Sequence, residues 1–231
     1  VVSRETDPRD RLFGTARPAA ERYAEMLADA GVARGLIGPR EVPRLWERHL
    51  LNCAVVADLL PRAGLVCDVG TGAGLPGLVL ALRRPDLEFV LVDSVRRRTE
   101  FVAQVVSELR LENVTVRWSR AEQLVGAVRA DAVTARALAP LAKLAQWCVP
   151  LTRPGGSVLA LKGARAVAEL AAAEESLRGL GVTRWSVDQV GGGVLADPTT
   201  VVRLRIPTRP TGIRSPRNRR AGQARQRGAT T

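Results

Sequence analysis

The chain has 231 residues, 46% of them hydrophobic, and a formal charge of +12, which is enough for one sizeable α/β domain with a real core. Charged residues interrupt every apolar run, so no stretch has the length of a membrane span, and VVSRETDPRD at the start lacks the basic-then-apolar pattern of an export signal. Cys53, Cys67 and Cys148 are odd in number, widely spaced and set in apolar sequence; reduced core thiols of a cytoplasmic protein are expected, with neither metal-ligand spacing nor a disulfide framework.

Residues 1–17 are expected to form a flexible N-terminus. Ala20, Tyr23, Ala24, Leu27 and Ala30 stand at helical spacing and predict a helix over 18–31 that Gly31 can cap. A second helix is expected over about 41–60, with Leu45, Trp46, His49, Leu50 and Cys53 on or near one face and Pro61 and Gly64 ending it. From Leu65 onward strand and helix alternate. Strands are expected near 65–69, 88–93, 114–118, 131–135, 156–161, 183–190 and 200–206. Helices are expected near 75–84, 95–110, 140–149 and 164–179, with a short turn at 121–125. This alternation predicts a Rossmann-like α/β fold, a mostly parallel seven-stranded sheet with helices on both faces.

The last two strands are joined by Gly191-Gly192-Gly193 and a loop without a helix. A hairpin is therefore expected, with one strand antiparallel to the rest. The reading is a single domain over 18–206, with N-terminal helices at 18–61 and the core at 65–206. Residues 207–231 hold seven arginines and no acid, which leaves +5 for the body (12 minus 7). Such a tail cannot bury enough apolar surface to fold alone. It is expected to be disordered and either to meet a polyanion, nucleic acid first, or simply to keep the chain soluble.

The chemistry concentrates between the first two strands. Asp68-Val69-Gly70-Thr71-Gly72-Ala73-Gly74-Leu75-Pro76-Gly77 follows an apolar run and opens into another. This is a strand, a glycine-rich turn and a helix start, which bring backbone close to a ligand and offer it unpaired N–H groups. Asp93 ends the next apolar run, Phe89-Val90-Leu91-Val92, and a carboxylate at that strand tip suits two ribose hydroxyls. Together they predict a nucleoside-cofactor site. Gly72-Ala73-Gly74-Leu75-Pro76-Gly77 also fits G-x-G-x-x-G, a pattern that by itself admits a dinucleotide.

Three features favour S-adenosylmethionine. Asp68 precedes the first glycine, where a carboxylate can meet the ammonium of a methionine moiety. Pro76 removes an N–H that a pyrophosphate would use at the helix start. Ser119-Arg120-Ala121-Glu122 follows the third strand, where a backbone N–H and a carboxylate can read an adenine edge.

With Arg48-His49-Leu50-Leu51-Asn52, Asp68 to Gly77, Leu91-Val92-Asp93-Ser94, Ser119 to Glu122, Thr134-Ala135-Arg136-Ala137 and Leu161-Lys162-Gly163 in this order, the chain over roughly 20–206 resembles the glucose-inhibited division B family. These are bacterial guanine-N7 methyltransferases of 16S ribosomal RNA. The resemblance implies a Rossmann-like S-adenosylmethionine-dependent enzyme acting on guanine 527 of the 530 loop. It implies Gly70, Leu75, Ala121, Glu122 and Arg136 as cofactor contacts, to which the residue reading above adds Asp68, Gly72, Gly74 and Asp93. Its partner would be 16S ribosomal RNA, in the 30S subunit or an assembly intermediate, and a monomer without membrane attachment is expected. Another RNA site or a small molecule is the alternative acceptor. The arginine tail lies outside the resemblance.

N7 of guanine has a free lone pair and no proton to lose, so catalysis can rest on positioning and electrostatics. The chain has one histidine, no Asp/Asn-Pro-Pro-aromatic string and no cysteine in a Pro-Cys or Thr-Cys context, which argues against adenine-N6 and cytosine-C5 chemistry. Candidate catalytic residues are Arg136, Lys162 and His49. Lys162 is one of two lysines against 33 arginines and ends the fifth strand, where its ammonium can hold an RNA phosphate or guanine O6; a plain surface lysine is the other reading. Arg136 ends the fourth strand and can reach cofactor and RNA, or form a structural ion pair. His49 is either a satisfied core histidine or, by the family match around it, a neighbour of the guanine pocket. Arg96, Arg97 and Arg98 oppose the dipole of the helix they begin, and so invite an external anion or remain a solvated face. Four Trp, one Tyr and three Phe are few for binding by stacked bases, and recognition by shape and phosphate fits better.

Overall fold

The computed structural model describes residues 7–208. Seven strands form one sheet in the order β3-β2-β1-β4-β5-β7-β6: β1 (Leu65–Val69), β2 (Glu88–Asp93), β3 (Val114–Trp118), β4 (Ala130–Arg136), β5 (Thr152–Lys162), β6 (Arg184–Val190) and β7 (Thr199–Arg205). The pairings among β1 to β5 are parallel, and β7 runs antiparallel to both β5 and β6. The expected fold and terminal hairpin are thus observed. Parallel strands buried on both faces need near-continuous apolar sequence, and β1 and β4 supply it with Val66, Cys67, Val69, Ala132, Val133 and Ala135 all buried.

Before the sheet come α1 (Pro8–Phe13), α2 (Arg17–Met26) and α3 (Asn52–Ala54); after β1 come α4 (Gly77–Arg83), α5 (Arg96–Glu108), α6 (Leu141–Cys148) and α7 (Ala166–Gly179). One core forms where α1 to α5 cover one face, around Tyr23, Leu27, Leu78, Leu80 and Phe101. A second forms under α6 and α7, around Leu144, Cys148, Leu151 and Leu177. All three cysteines are buried free thiols, and burial pushes Cys53 up to about 11 and Cys67 to about 12.

The N-terminal region departs from expectation. Within the N-terminus expected to be flexible over 1–17, residues 8–16 are helical: Asp7 caps α1 by accepting from the Arg9 amide at 2.9 Å, Pro8 starts the helix, and Phe13 is buried edge-on to Trp46 at 5.9 Å. An N-cap Asp followed by Pro is a helix start, and Phe13 supplies the burial that holds it. The helix expected over 18–31 is α2 continued by a π-helical turn, Leu27–Gly31. The one expected over 41–60 is instead a series: a 3-10 turn Pro39–Arg44, a π-helical turn Trp46–Leu51, α3, and a second 3-10 turn Val55–Leu59. Pro43 inside that segment has no N–H to donate, so a regular ladder cannot run through it. The arginine-rich stretch lies outside the described residues from 209 onward, as do residues 1–6.

β1 has β2 on one side and β4 on the other, so the chain reverses its direction of winding at β1. Open α/β sheets bind ligands at such a switch point, beyond the carboxyl ends of the strands.

Candidate active site

The loop after β1 is tied to its neighbours through its own backbone. The Gly70 and Thr71 amides donate to the Val92 carbonyl at 2.8 and 3.0 Å, and the Leu75 amide donates to Thr71 at 2.9 Å. The buried Tyr23 hydroxyl donates to the Ala73 carbonyl at 2.8 Å. Glycine is required at two points in particular. Gly70 has φ +69° and a Cβ there would lie 2.4 Å from the Leu138 side chain; Gly74 has φ +100° and would put its Cβ 2.3 Å from Leu78.

Asp93, at the tip of β2, is 3% exposed. Its Oδ2 accepts from the Gly72 amide at 3.0 Å, its Oδ1 from the Val95 amide at 2.9 Å, and Arg98 lies 3.4 Å from Oδ2. The carboxylate is therefore held in place from both sides and faces a cleft lined by Gly70, Asp93, Ser94, Arg98, Arg120, Ala121, Glu122, Leu138 and Trp147 among others. Four of the expected cofactor residues meet here: Gly70, Asp93, Ala121 and Glu122. Gly72 joins them through its amide on Asp93. A Cβ at Gly72 would meet only the Gly70 carbonyl, at 3.9 Å, so this side of the loop is open.

The other four expected cofactor residues, Asp68, Gly74, Leu75 and Arg136, are outside the cleft lining. Asp68 is 0% exposed, its Oδ2 accepting from the Gly77 amide at 3.0 Å and its Oδ1 from the Thr134 hydroxyl at 2.7 Å. Both oxygens latch the glycine loop and β4 to β1, and neither faces the cleft to meet an ammonium, because the β1–β4 register sets Asp68 beside Thr134. Leu75 is buried in the first core, and Gly74 is packed behind the loop against Leu78 and Tyr23. Both shape the loop from behind.

Burial pushes the Asp68 carboxyl up to about 6 from its ordinary 3.8, against the hydrogen bonds it accepts. Between those values the folded protein keeps a proton that the unfolded chain has released, so this group lowers stability as pH rises from about 4 to about 6. The loss levels off near about 3 kcal/mol, at about 1.4 kcal/mol per pH unit. Asp68→Asn keeps an acceptor for the Gly77 amide and removes the titration. Its melting temperature relative to the parent is expected to rise by on the order of 5 °C between about pH 4 and about pH 7; parallel melting curves across that range would exclude Asp68 as the titrating group.

The candidate catalytic residues divide. Lys162 is turned inward, its side chain 8% exposed: the ammonium donates to Glu169 Oε2 at 2.8 Å and to the Ala139 carbonyl at 2.7 Å. Glu169 Oε2 also accepts from the Leu141 amide at 3.2 Å, and Lys162 holds its carboxyl below the usual range. Lys162 thus bolts the β4–α6 loop, including Leu138 over Gly70, and does not hold out a charge to RNA. Arg136 and His49 do meet, outside the cleft lining: Arg136 Nη2 lies 2.6 Å from His49 Nδ1, Nη1 lies 3.6 Å from Cys53 Sγ, and His49 Nε2 lies 2.9 Å from Glu41 Oε2. Of the anion-inviting run, Arg98 pairs with Asp93, Arg96 with Glu100 at 2.9 Å, and Arg96 also lies over the Trp118 ring at 5.3 Å.

Sequence reasoning missed Tyr23, Thr134, Leu138, Trp147, Glu169 and Glu41. Two of them carry a signal: Tyr23, since a tyrosine on a core-facing helix needs a partner for its hydroxyl, and Thr134, which opens one of the segments shared with the family.

The cleft fits S-adenosylmethionine. It offers an oriented carboxylate for a ribose diol, an open glycine turn beside it, and the start of the 3-10 turn Ala121–Leu124, where the first amides have no partner within the turn, for an adenine edge. Among the described residues no group of acids, histidines and cysteines could hold a metal.

Among solved structures the chain is similar to an S-adenosylmethionine-dependent O-methyltransferase from Thermotoga maritima, with 13% identity, a TM-score of 0.57 and coverage of 73% of this chain and 71% of that one. It is also similar to the S-adenosylmethionine-dependent methyltransferase SibL, with 21% identity, a TM-score of 0.57 and coverage of 82% and 70%. At these identities the likeness is one of fold. Sequence relatives say more. Ribosomal RNA small subunit methyltransferase G of Thermobifida fusca (strain YX) is 56% identical over 203 residues, 88% of this chain and 86% of that protein. The protein of the same name from Streptomyces coelicolor is 52% identical over 221 residues, 94% and 92%. The GidB family, described as rRNA small subunit methyltransferase G, matches residues 16–195, a span that takes in the glycine loop, Asp93, the cleft and the Arg136–His49 pair, and the chain belongs to that family.

Proposed function

We propose that this protein transfers the methyl group of S-adenosylmethionine to N7 of guanine 527 in the 530 loop of 16S ribosomal RNA, acting in the cytoplasm as a monomer on the 30S subunit or an assembly intermediate. The observation that carries the reading is the convergence of Gly70, Asp93, Ala121 and Glu122 on one cleft at the sheet's switch point, with the Gly72 amide holding Asp93 there, in a chain of this family. Among the described residues no helix is long and apolar enough to cross a membrane.

When bound, the cofactor supplies an electrophilic methyl on a sulfonium. The chain's own groups orient and exclude water. Asp93 would take the ribose hydroxyls, Gly70 and Gly72 would let backbone approach, and Ala121 with Glu122 would hold the base. Leu138 and Trp147 cover the cleft on the α6 side. Of the groups that could move a proton, both His49 nitrogens are engaged, Asp68 is latched and Lys162 is ion-paired, while the two carboxylates that line the cleft, Asp93 and Glu122, would be occupied by the cofactor. That supports an acceptor with nothing to deprotonate, which is N7 and not an exocyclic amine.

The test is methyl transfer from labelled S-adenosylmethionine to small-subunit particles and to naked 16S RNA, with borohydride–aniline cleavage to map N7-methylguanine. A single cleavage at 527 is expected. Label on another nucleotide, or label without cleavage, would overturn the assignment.

A further inference from the structure

The one histidine of the chain sits between two charged groups that do not otherwise meet, and their chemistry determines its state. An arginine has only donors and stays protonated. With Arg136 Nη2 at 2.6 Å, His49 Nδ1 must present a lone pair. The single proton of the neutral ring is then on Nε2, pointing at Glu41 Oε2 2.9 Å away. Glu41 is braced in turn by Arg48 at 3.7 Å. His49 lies on the π-helical turn Trp46–Leu51, a widened turn of the kind that recurs at functional sites.

We propose that Glu41, His49 and Arg136 form a positioning chain, in which the neutral Nε2–H tautomer of His49 aims the Arg136 guanidinium at the methyl-transfer site. His49 is a positioning residue and not a base. The proposal rests on the methyltransferase reading only for what Arg136 does, not for the geometry of the chain itself. Arg136 has five N–H groups. Two are directed at His49 and Cys53, which leaves three for an anion or carbonyl brought by cofactor or RNA. Thr134, two residues back on the same face of β4, bonds Asp68 beneath the glycine loop, so Arg136 emerges next to that loop.

The chain has a built-in acid limit. Protonation would turn an Nδ1–H against an N–H of Arg136, ending the bond and adding repulsion. Burial and the Arg136 charge both hold the ring below its ordinary value, with Arg48 acting the same way and Glu41 opposing. The charged and titratable groups around it are Glu41, Arg44 and Arg48 on its own segment, Arg136 with Asp68 behind it, and the buried Cys53 and Tyr23.

Because there is one histidine, ¹⁵N-histidine labelling gives a single imidazole in the whole protein. At about pH 7 that ring is expected to be neutral, with Nε2 protonated and Nδ1 bare, and Arg136→Met should free the tautomer and raise the pH at which the ring charges. A protonated ring, an Nδ1–H tautomer or an unchanged signal in Arg136→Met would overturn the chain, whatever the acceptor proves to be. Its consequence for the reaction is read from single-turnover methylation between about pH 5 and about pH 8. His49→Asn replaces Nδ1 with an amide oxygen that accepts from Arg136 and cannot titrate, and should lose the acid limb seen in the parent. His49→Phe removes the acceptor and should slow transfer on the order of 10- to 100-fold, with S-adenosylhomocysteine affinity and melting temperature reported alongside. An acid limb retained in His49→Asn would assign it to Asp68 or to the RNA, and a full rate in His49→Phe would reduce the chain to a structural contact. If the parent methylates nothing while the imidazole signals are as expected, the functional reading fails and the chain stands.

Discussion

Asp93→Ala is expected to weaken S-adenosylmethionine binding by on the order of 100-fold or more. A carboxylate has about four acceptor positions. In Asp93 the amides of Gly72 and Val95 take one on each oxygen, and Arg98 approaches Oδ2 at 3.4 Å from a more exposed position. One position on Oδ1 is open, and the long Arg98 contact is the one a hydroxyl on Oδ2 would displace. A ribose diol bonding both oxygens gains two hydrogen bonds to a charged group, about 1.5–3 kcal/mol each. Alanine removes both and also frees the Gly72 amide, loosening the turn. Asp93→Asn separates the effects, because it keeps one acceptor but sets an NH2 group against either the Gly72 or the Val95 amide. Calorimetry with S-adenosylhomocysteine on the parent and both variants is the measurement. An alanine variant that binds within about threefold of the parent would remove Asp93 from the ribose site.

Asp93 and Asp68 read alike in the sequence, yet only Asp93 lines the cleft. Both end or nearly end an apolar strand, and all seven strands were legible because apolar runs between turn residues set their bounds. β1 and β2 begin and end where the pattern does, and the loop glycines mark the turn that follows. What a linear pattern lacks is the partner. Asp68 faces inward because β4, more than 60 residues on, sets Thr134 opposite it. Lys162 looked conspicuous among arginines, yet Glu169 on the next helix and the Ala139 carbonyl draw its ammonium in. His49 is expected on one continuous helix, yet its segment is broken by Pro43 and widened at Trp46–Leu51. Periodicity assumes a uniform 3.6-residue turn, and this segment departs from it in both directions. Long-range register and local departures from helical period are therefore what the structure adds, and both bear on the site.

The seat of the glycine loop makes the second large prediction, Gly77→Ala. Gly77 opens α4 without a left-handed φ, so alanine meets no backbone strain there and would gain up to about 1 kcal/mol of helix propensity. Packing decides otherwise. A Cβ at 77 would stand 2.3 Å from Leu91 Cδ2, 2.7 Å from Asp68 Oδ2 and 3.0 Å from Asp68 Cβ. Leu91 is on the buried strand β2 and Asp68 is latched to Thr134, both with 0% exposure, so neither can move aside cheaply. Overpacking of this kind costs about 1–3 kcal/mol. Pushing α4 outward would also break the Gly77 amide's bond to Asp68, a bond to a buried carboxyl worth about 1.5–3 kcal/mol when charged. The net loss is about 2–5 kcal/mol, a fall of about 5–15 °C in melting temperature for a domain of this size. Gly163→Ala is the control: a Cβ there meets nothing within 4 Å and φ is ordinary, so a change within about 0.5 kcal/mol is expected. Urea and thermal melts of the two variants side by side measure the difference. If they melt together, α4 has room to shift and the loop is not clamped between β1 and β2; if Gly77→Ala alone falls, the geometry that orients Gly72 onto Asp93 is fixed from beneath by Asp68.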